Sequence, residues 1–198
     1  MNVKDKVLEY WFGTGEGADW LAHRMKLWFG GTDETNEQLR VLFETDLRAA
    51  AGGAHDDLAA TATGRLALIV LLDQFTRNVF RKTGRMFDND VKALELAIAG
   101  IELGHDQAVP PLWRFFFYMP FEHSEEAAMQ ARSVCLFEEL APLVDAVVPG
   151  NGSALLGYAR KHRDVIARFG RFPHRNALLG RTSTAEEQRY LADGGGFI

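Results

Sequence analysis

The sequence predicts an all-α fold, and three observations support this prediction. Apolar residues recur at helical spacing along most of the chain, as Val3, Val7 and Trp11 do near its start. No segment alternates apolar and polar residues over five or more positions, as a half-buried strand would. The connections are short and contain Gly, Pro and Asp. We therefore expect about seven or eight helices, packed as antiparallel hairpins within a single domain over residues 1–198.

Local signals place the helices of the first half. Gly13 is expected to end the first helix, because glycine adopts the left-handed conformation that closes helices. A second helical face includes Leu39 and Leu47 and is expected to end near Gly52. Residues 65–76 are apolar on nearly all sides, which predicts a helix buried in the middle of the fold.

Comparable signals place the helices of the second half. Pro120 is expected to end one helix, and Ser124 to cap the next. A long amphipathic helix is expected to end at Gly170. Thr184 and Glu187 have the spacing of a capping box, which predicts a short final helix. Residues 193–198, which are rich in glycine, are expected to form a flexible tail, and the alternative is that Phe197 packs into a neighbouring chain.

The composition and the absence of certain motifs argue against several classes of protein. The single cysteine, Cys135, excludes an internal disulfide and a cysteine-based zinc cluster, and its apolar neighbours predict that it is buried. The longest apolar run, Leu66–Leu72, is too short to cross a membrane, and the first residues do not resemble a targeting signal. We therefore expect a cytoplasmic protein. No nucleotide-binding or metalloprotease motif is present, so no cofactor is predicted.

Positive charge is concentrated in one segment of an acidic chain. The net charge is −5, yet residues 160–175 contain six Lys or Arg and a single acid, Asp164. The rest of the chain then has 16 basic and 26 acidic residues. This asymmetry indicates a local site for an anion, and the acidic remainder argues against nucleic-acid binding.

The candidate site residues combine guanidinium, imidazole, amide and carboxylate groups. Arginine presents a planar fork of donors that suits carboxylate or phosphate, and histidine exchanges protons near neutral pH. The predicted ligand-binding residues are Arg77, Asn78, Arg163, Arg168, Arg171, Arg175 and Asn176. The predicted proton carriers are His123 and His174, and the residues expected to orient them are Asp73, Glu125, His162 and Asp164. No metal ligands are predicted.

Each of these residues also has a structural interpretation. Arginines near the end of a helix can satisfy free carbonyl groups, and His162, on an apolar face, can be a hydrogen-bonded core residue. His123 can belong to a capping region before Ser124. Asp73 and Arg77 are four residues apart, a spacing that favours an ion pair.

Four motifs that together span nearly the whole chain resemble a bacterial family known as domain of unknown function 924. They are VLEYWFG, LLDQFTRN, FFFYMPFEHSE and HRDVIARFGRFPHRNALLGR. The resemblance implies stacked helical hairpins that look like a tetratricopeptide-repeat (TPR) fold, and it implies no activity. The chain departs from the family at Thr76, where the family usually has proline, and this is expected to lengthen the helix locally.

Three functional hypotheses follow. In the first, the candidate residues converge on one basic pocket that binds a small carboxylate or phosphate, with histidine acid–base chemistry. In the second, a TPR-like module binds an acidic peptide or a protein C-terminus. In the third, the arginines form a structural ion-pair network. The sequence does not indicate an oligomeric state.

Overall fold

All the regular secondary structure in the described part of the chain is helical. The structure is a computed structural model that describes residues 1–15 and 17–197, and no β-strand occurs among them. The α-helices are α1 Val3–Trp11, α2 Gly17–Phe29, α3 Asp33–Ala51, α4 Ala62–Ile69, α5 Thr76–Val79, α6 Asp90–Glu102, α7 Pro111–His123, α8 Ala127–Asp145, α9 Asn151–Phe169 and α10 Ala185–Ala192. A π-helical segment, Val70–Phe75, joins α4 to α5, so these two form one continuous helix. The predicted fold class is confirmed, with slightly more helices than expected.

Side chains of α2 hold the C-terminal end of α1. Gly13 follows α1 with a φ of 64°, which confirms it as the stop signal. Three carbonyl groups near this end accept hydrogen bonds from α2: the Nε1 atoms of Trp20 and Trp28 donate to Phe12 and Trp11, and Arg24 Nη1 donates to Tyr10. These donors replace the partners that the last turn of a helix lacks.

The continuous helix from α4 to α5 is buried along most of its length, as its apolar sequence predicted. Residues 64–76 are all buried, including the carboxylate of Asp73. Arg77 Nη1 lies 3.2 Å from Asp73 Oδ1, so the expected ion pair is confirmed. The helix continues through Thr76 to Val79, and the Thr76 hydroxyl accepts a hydrogen bond from Asn89. That Thr76 lengthens the helix relative to the family stays a prediction.

The chain divides into two compact units. Unit 1 contains Met1–Arg81 and Arg85–Phe117, and unit 2 contains Lys82–Gly84 and the chain from Tyr118 onward. In unit 1, the helix from α4 to α5 packs on α3 and α6, and α1 packs on α4. In unit 2, α8 packs along α9, and α10 packs on a 3-10 turn at Pro173–Arg175. The single domain and the TPR-like arrangement stay predictions.

Three local predictions in the second half are wrong. Pro120 lies inside α7, which continues to His123, and α8 begins at Ala127 with Glu126, not Ser124, as its N-cap. The proline costs α7 one backbone hydrogen bond, but the flanking aromatic residues Phe116 and Phe121 are fully buried and outweigh this local signal. Cys135 is exposed, because it lies on the side of α8 away from buried residues such as Phe137 and Leu140.

The predicted helix ends around the basic stretch are confirmed. Gly170 closes α9 in the left-handed conformation, with a φ of 68°. Thr184 and Glu187 form the expected capping box at the start of α10. The backbone N–H of Gly152 donates a hydrogen bond to Asp145 Oδ1 at 2.7 Å. This carboxylate therefore satisfies one of the backbone donors that lack a partner in the first turn of α9.

No helix within the described residues combines the length and apolar character that crossing a membrane requires.

Gly100 is a position in α6 where the surrounding packing leaves no room for a side chain. A Cβ atom there would collide with the buried ring of Phe117 and lie 2.6 Å from Arg65 Cδ. We expect Gly100→Ala to lower the free energy of unfolding by about 1–3 kcal/mol, as overpacking does. Urea denaturation measures this change.

Gly157→Ala is the matched control. Gly157 is also inside a helix, but a Cβ atom there meets nothing within 4 Å. Because alanine favours helices over glycine, this variant should gain about 0.5–1 kcal/mol. Equal effects of the two substitutions would contradict the packing assigned to Gly100.

Candidate functional site

The basic stretch lies in unit 2, at the end of α9 and in the turn that follows. Gly170 reverses the chain, and Pro173 opens the 3-10 turn with the backbone angle that proline favours. The turn places Arg175 and Asn176 in the interior, where both are buried. The chain around His123 and Glu125, between α7 and α8, lies against this turn.

Three arginines of the stretch form ion pairs at the surface. Arg160 pairs with Glu138 at 2.9 Å, Arg163 with Asp164 at 2.7 Å, and Arg168 with Glu186 at 2.9 Å. Their side chains are about half exposed, and such pairs contribute little stability. An anion at these positions would compete with a carboxylate that is already bound.

Glu187 joins three segments of unit 2. Both its oxygens accept from Arg171, at 2.7 and 2.9 Å, and Oε2 also accepts from the backbone N–H of Thr184 and, at 3.3 Å, from Asn176 Nδ2. Only 2% of Glu187 is exposed. The Arg171 hydrogen bonds are the main cause that lowers the pKa of the Glu187 carboxyl to about 2. Glu187 is therefore a buried carboxylate at neutral pH.

Glu125 makes a second carboxylate–arginine pair. Arg181 contacts both its oxygens, at 2.7 and 3.0 Å, and the backbone N–H of Phe172 donates to Oε1 at 2.7 Å. Burial alone would raise the pKa of Glu125, but the hydrogen bonds from Arg181 and Phe172, with the charges of Arg181 and Arg175, lower it. Two guanidinium groups thus act on one carboxylate.

His162 and Glu122 form a buried pair. His162 Nδ1 lies 2.8 Å from Glu122 Oε1 and 2.9 Å from the carbonyl oxygen of Tyr158, and His162 is 7% exposed. Because both neighbours are acceptors, we assign Nδ1 of His162 as the donor to them. The other ring nitrogen, Nε2, does not take part in this pair.

His123 and His174 lie near this pair. The ring of His123 is 6.4 Å from that of His162, and the ring of His174 is 5.5 Å from that of Phe172. Burial, followed by the charge of Arg175, lowers the pKa of His174 to about 4, so this histidine is neutral at pH 7. Its Nδ1 atom is buried and finds no hydrogen-bond partner within the described chain.

Arg175 connects the turn to the end of α7. Its Nη2 donates to the carbonyl oxygen of His123 at 2.8 Å, and its guanidinium group lies 4.6 Å from the centre of the Phe172 ring. It is 7% exposed. A buried cation therefore lies next to His123, Phe172 and His174.

The end of the chain covers this cluster. The ring of Phe197 stacks on that of His162, with centres 3.6 Å apart and planes 12° apart. It also meets the rings of Phe172 and His174 edge to face. The flexibility predicted for residues 193–198 stays a prediction, and its last residue, Ile198, lies outside the described residues.

The predicted site residues of the LLDQFTRN motif belong to unit 1. Arg77 lies between two carboxylates, with Nη1 2.8 Å from Asp90 Oδ1 in addition to its pair with Asp73. Asn78 donates to the carbonyl oxygen of Gln74 at 2.9 Å. Their convergence with the residues of unit 2 stays a prediction.

Comparison with known proteins places the chain in a family. A model described as "Bacterial protein of unknown function (DUF924)" matches residues 7–195. The chain belongs to the DUF924 family. A solved structure of a protein of unknown function, ATU0120 from Agrobacterium tumefaciens, is 36% identical, with a TM-score of 0.84 over 97% of this chain and 98% of the other. None of the curated proteins compared with this DUF924 chain matches it.

Three residues of the cluster in this DUF924 protein were not predicted as site residues: Glu122, Arg181 and Phe197. Glu122 is next to His123, and Arg181 follows a glycine as Arg85 does, but neither signal identifies a partner 40 or 56 residues away. His123 was expected at the entrance of a helix, and it is instead the last residue of α7. The helix start expected at Ser124 is therefore wrong, because α7 continues through Pro120 to His123.

Within the described residues of this DUF924 protein, no group of three or more His, Cys, Asp or Glu side chains is arranged to hold a metal ion.

Replacing Glu187 should make the protein less stable and change its response to acid. Glu187→Gln removes the charge that Arg171 and the Thr184 N–H require, so we expect a loss of about 2 kcal/mol in the free energy of unfolding at pH 7. The folded-state pKa of about 2 is below the ordinary value of 4.5. The stabilisation by Glu187 is therefore complete above pH 4.5 and is lost as the pH falls towards 2.

The difference in stability between wild type and Glu187→Gln should accordingly shrink between pH 5 and pH 2.5, as measured by urea unfolding at each pH. Glu186→Gln is the matched control, because Glu186 is the adjacent residue and its pair with Arg168 is exposed. Its effect should stay within about 0.5 kcal/mol. A Glu187→Gln effect of constant size across this pH range would contradict the assigned pKa.

Proposed function

We propose that unit 2 of this protein binds a small anion, a carboxylate or a phosphate, between His174 and Arg175, next to His123. The observation that carries the proposal is the buried Nδ1 atom of His174. Buried polar atoms nearly always have a hydrogen-bond partner, and an unpaired one calls for an explanation such as a ligand. A neutral imidazole with its hydrogen on Nδ1 donates to an anion oxygen.

Charge near this atom supports an anion. Arg175 is buried beside His174, and the charges of both Arg175 and Arg181 lower the pKa of the Glu125 carboxyl group. A guanidinium group in a poorly solvated site attracts an anion more strongly than the same group in water. The surface arginines Arg163 and Arg168, with Asp164, are less suited to this role because their partners are already bound.

The His162–Glu122 pair supports proton transfer at the site. A carboxylate on Nδ1 fixes the orientation and tautomer of an imidazole, and Nε2 is then available as a base. His123 keeps its predicted role as a second proton carrier, 6.4 Å from His162 by ring centre. His174, with a pKa of about 4, is better suited to donating a hydrogen bond than to carrying a proton at neutral pH.

A second candidate function is the binding of a peptide end. The observation that favours it is that an aromatic side chain of a peptide segment, the ring of Phe197, stacks on His162. In this alternative, a TPR-like module binds the acidic C-terminus of a partner protein in the same place. The proposal includes a cytoplasmic location for either function, since the free Cys135 suits a reducing compartment.

A thermal-shift titration with inorganic phosphate and with acetate tests the proposal. A ligand at a hundred times its dissociation constant adds about 2.7 kcal/mol of stability. For a protein of this size we expect a rise in melting temperature of about 5–10 °C. His174→Phe retains an aromatic ring but has no ring nitrogen, so it should abolish the shift.

Arg168→Gln is the control for this titration, because it removes an exposed arginine of the same stretch and should leave the shift unchanged. No shift with either anion would overturn the proposal. A shift that is lost in Arg168→Gln but kept in His174→Phe would move the site to the surface arginines.

A further inference from the structure

An aromatic slot lies directly beside the proposed anion site. Its base is the face of His162, on which the ring of Phe197 stacks at 3.6 Å. Phe172 and His174 meet the Phe197 ring edge to face, at centre distances of 6.0 and 5.7 Å. The face of His162 on one side and the two edge-to-face contacts enclose a single flat ring, and the edge-to-face contacts have the geometry that aromatic groups prefer.

The ring in this slot comes from a part of the chain that is costly to order. Phe197 follows three consecutive glycines, and glycine loses more backbone freedom on ordering than other residues. Gly194 and Gly196 both have positive φ angles. The segment is tied to α10 through Tyr190, whose carbonyl oxygen accepts from Gly195 N at 2.9 Å and whose hydroxyl accepts from Gly196 N at 3.0 Å.

Two residues belong to both the slot and the proposed site. His174 forms one edge of the slot, and its Nδ1 atom is the proposed donor to the anion. His162 forms the base of the slot, and its Nδ1 atom is paired with Glu122. A molecule with a ring in the slot would therefore have its adjacent atoms close to Arg175 and His174.

We propose that the slot is the ring-binding part of the ligand site, that the ligand is an aromatic anion with one ring next to a carboxylate or phosphate, and that Phe197 competes with it. This inference rests on the proposed function for its anionic half. The same chemistry, a ring close to an anionic group, could come from a small aryl acid or phosphate ester, or from a peptide end with an aromatic residue.

Competition between Phe197 and a ligand for the slot would change the measured affinity of the ligand. The apparent dissociation constant of a ligand equals its intrinsic value divided by the fraction of molecules with an open slot. Removing the Phe197 ring should therefore strengthen the binding of a ring-bearing anion and leave inorganic phosphate unaffected, because phosphate does not use the slot.

The experiment compares full-length wild type with Phe197→Ala, using calorimetric titrations of phosphate, phenyl phosphate and cyclohexyl phosphate. In Phe197→Ala we expect phenyl phosphate to bind about tenfold more tightly than phosphate, and cyclohexyl phosphate to gain clearly less, because only a flat ring stacks on His162. In wild type the gain of phenyl phosphate over phosphate should be smaller.

A second variant tests the same competition without removing the Phe197 ring. Tyr190→Phe removes only the hydroxyl that accepts from Gly196 N, leaves the slot intact, and should also strengthen phenyl phosphate binding. In NMR spectra, the ring protons of His162 should lose the shift caused by the stacked Phe197 ring in Phe197→Ala and regain one when phenyl phosphate binds.

The outcomes separate the inference from the proposed function. If phosphate binds but, in Phe197→Ala, phenyl phosphate gains nothing and the peptide Gly-Gly-Gly-Phe-Ile does not bind, the ring site is overturned and the proposed function stands. If no phosphate or phenyl phosphate binds to any variant, both fail. If the peptide Gly-Gly-Gly-Phe-Ile binds to Phe197→Ala and phenyl phosphate shows no gain, the small-ligand form is overturned in favour of a peptide end.

Discussion

The carboxylate of Glu187 is the point at which the end of α9, the turn that follows it and the start of α10 meet. It accepts hydrogen bonds from the side chain of Arg171 in the first segment, from the side chain of Asn176 in the second and from the backbone N–H of Thr184 in the third. A buried charge is tolerated only when it is paired and hydrogen-bonded, so these segments can adopt their positions only together. The position of the 3-10 turn, and hence of His174 and Arg175, depends on this carboxylate.

The same principle explains why an acidic chain concentrates arginine in one segment. Glu138, Glu186 and Glu187, distant in sequence, supply carboxylates for arginines of the stretch, and Glu125 supplies one for the later Arg181. The local excess of positive charge in the sequence is therefore largely neutralised when unit 2 folds. These pairs give real support to the structural interpretation of the stretch, and the proposed site accordingly relies on His174 and Arg175, not on the surface arginines.

Local signals were sufficient to predict those parts of the fold that depend on neighbours in sequence. Gly13, Gly170 and the Thr184–Glu187 box ended or began helices where expected, since their effects act within one turn. Pro120 did not end α7, because the burial of the aromatic residues around it outweighs one lost hydrogen bond. A prediction from local pattern cannot weigh that burial.

The candidate site shows the same division. His162 was expected on the inner face of α9 from its spacing, and it is buried there. Its partner Glu122 is 40 residues away, and no periodicity connects the two. Phe197 looked like part of a featureless tail because three glycines precede it. Only the folded chain brings this ring to His162.

The two halves of the site also differ in how firmly they are held. The anion half is fixed by paired carboxylates and arginines, whose removal would leave buried charges unpaired. The aromatic half is filled by Phe197. The segment that contains Phe197 makes two described hydrogen bonds to Tyr190, and its glycines lose much backbone freedom when they become ordered. A rigid charged half and an exchangeable ring are what a site needs if it is to hold its shape while one occupant replaces another. In the structure the Phe197 ring covers the stacking face of His162, and under the proposal a ligand ring would take over this role.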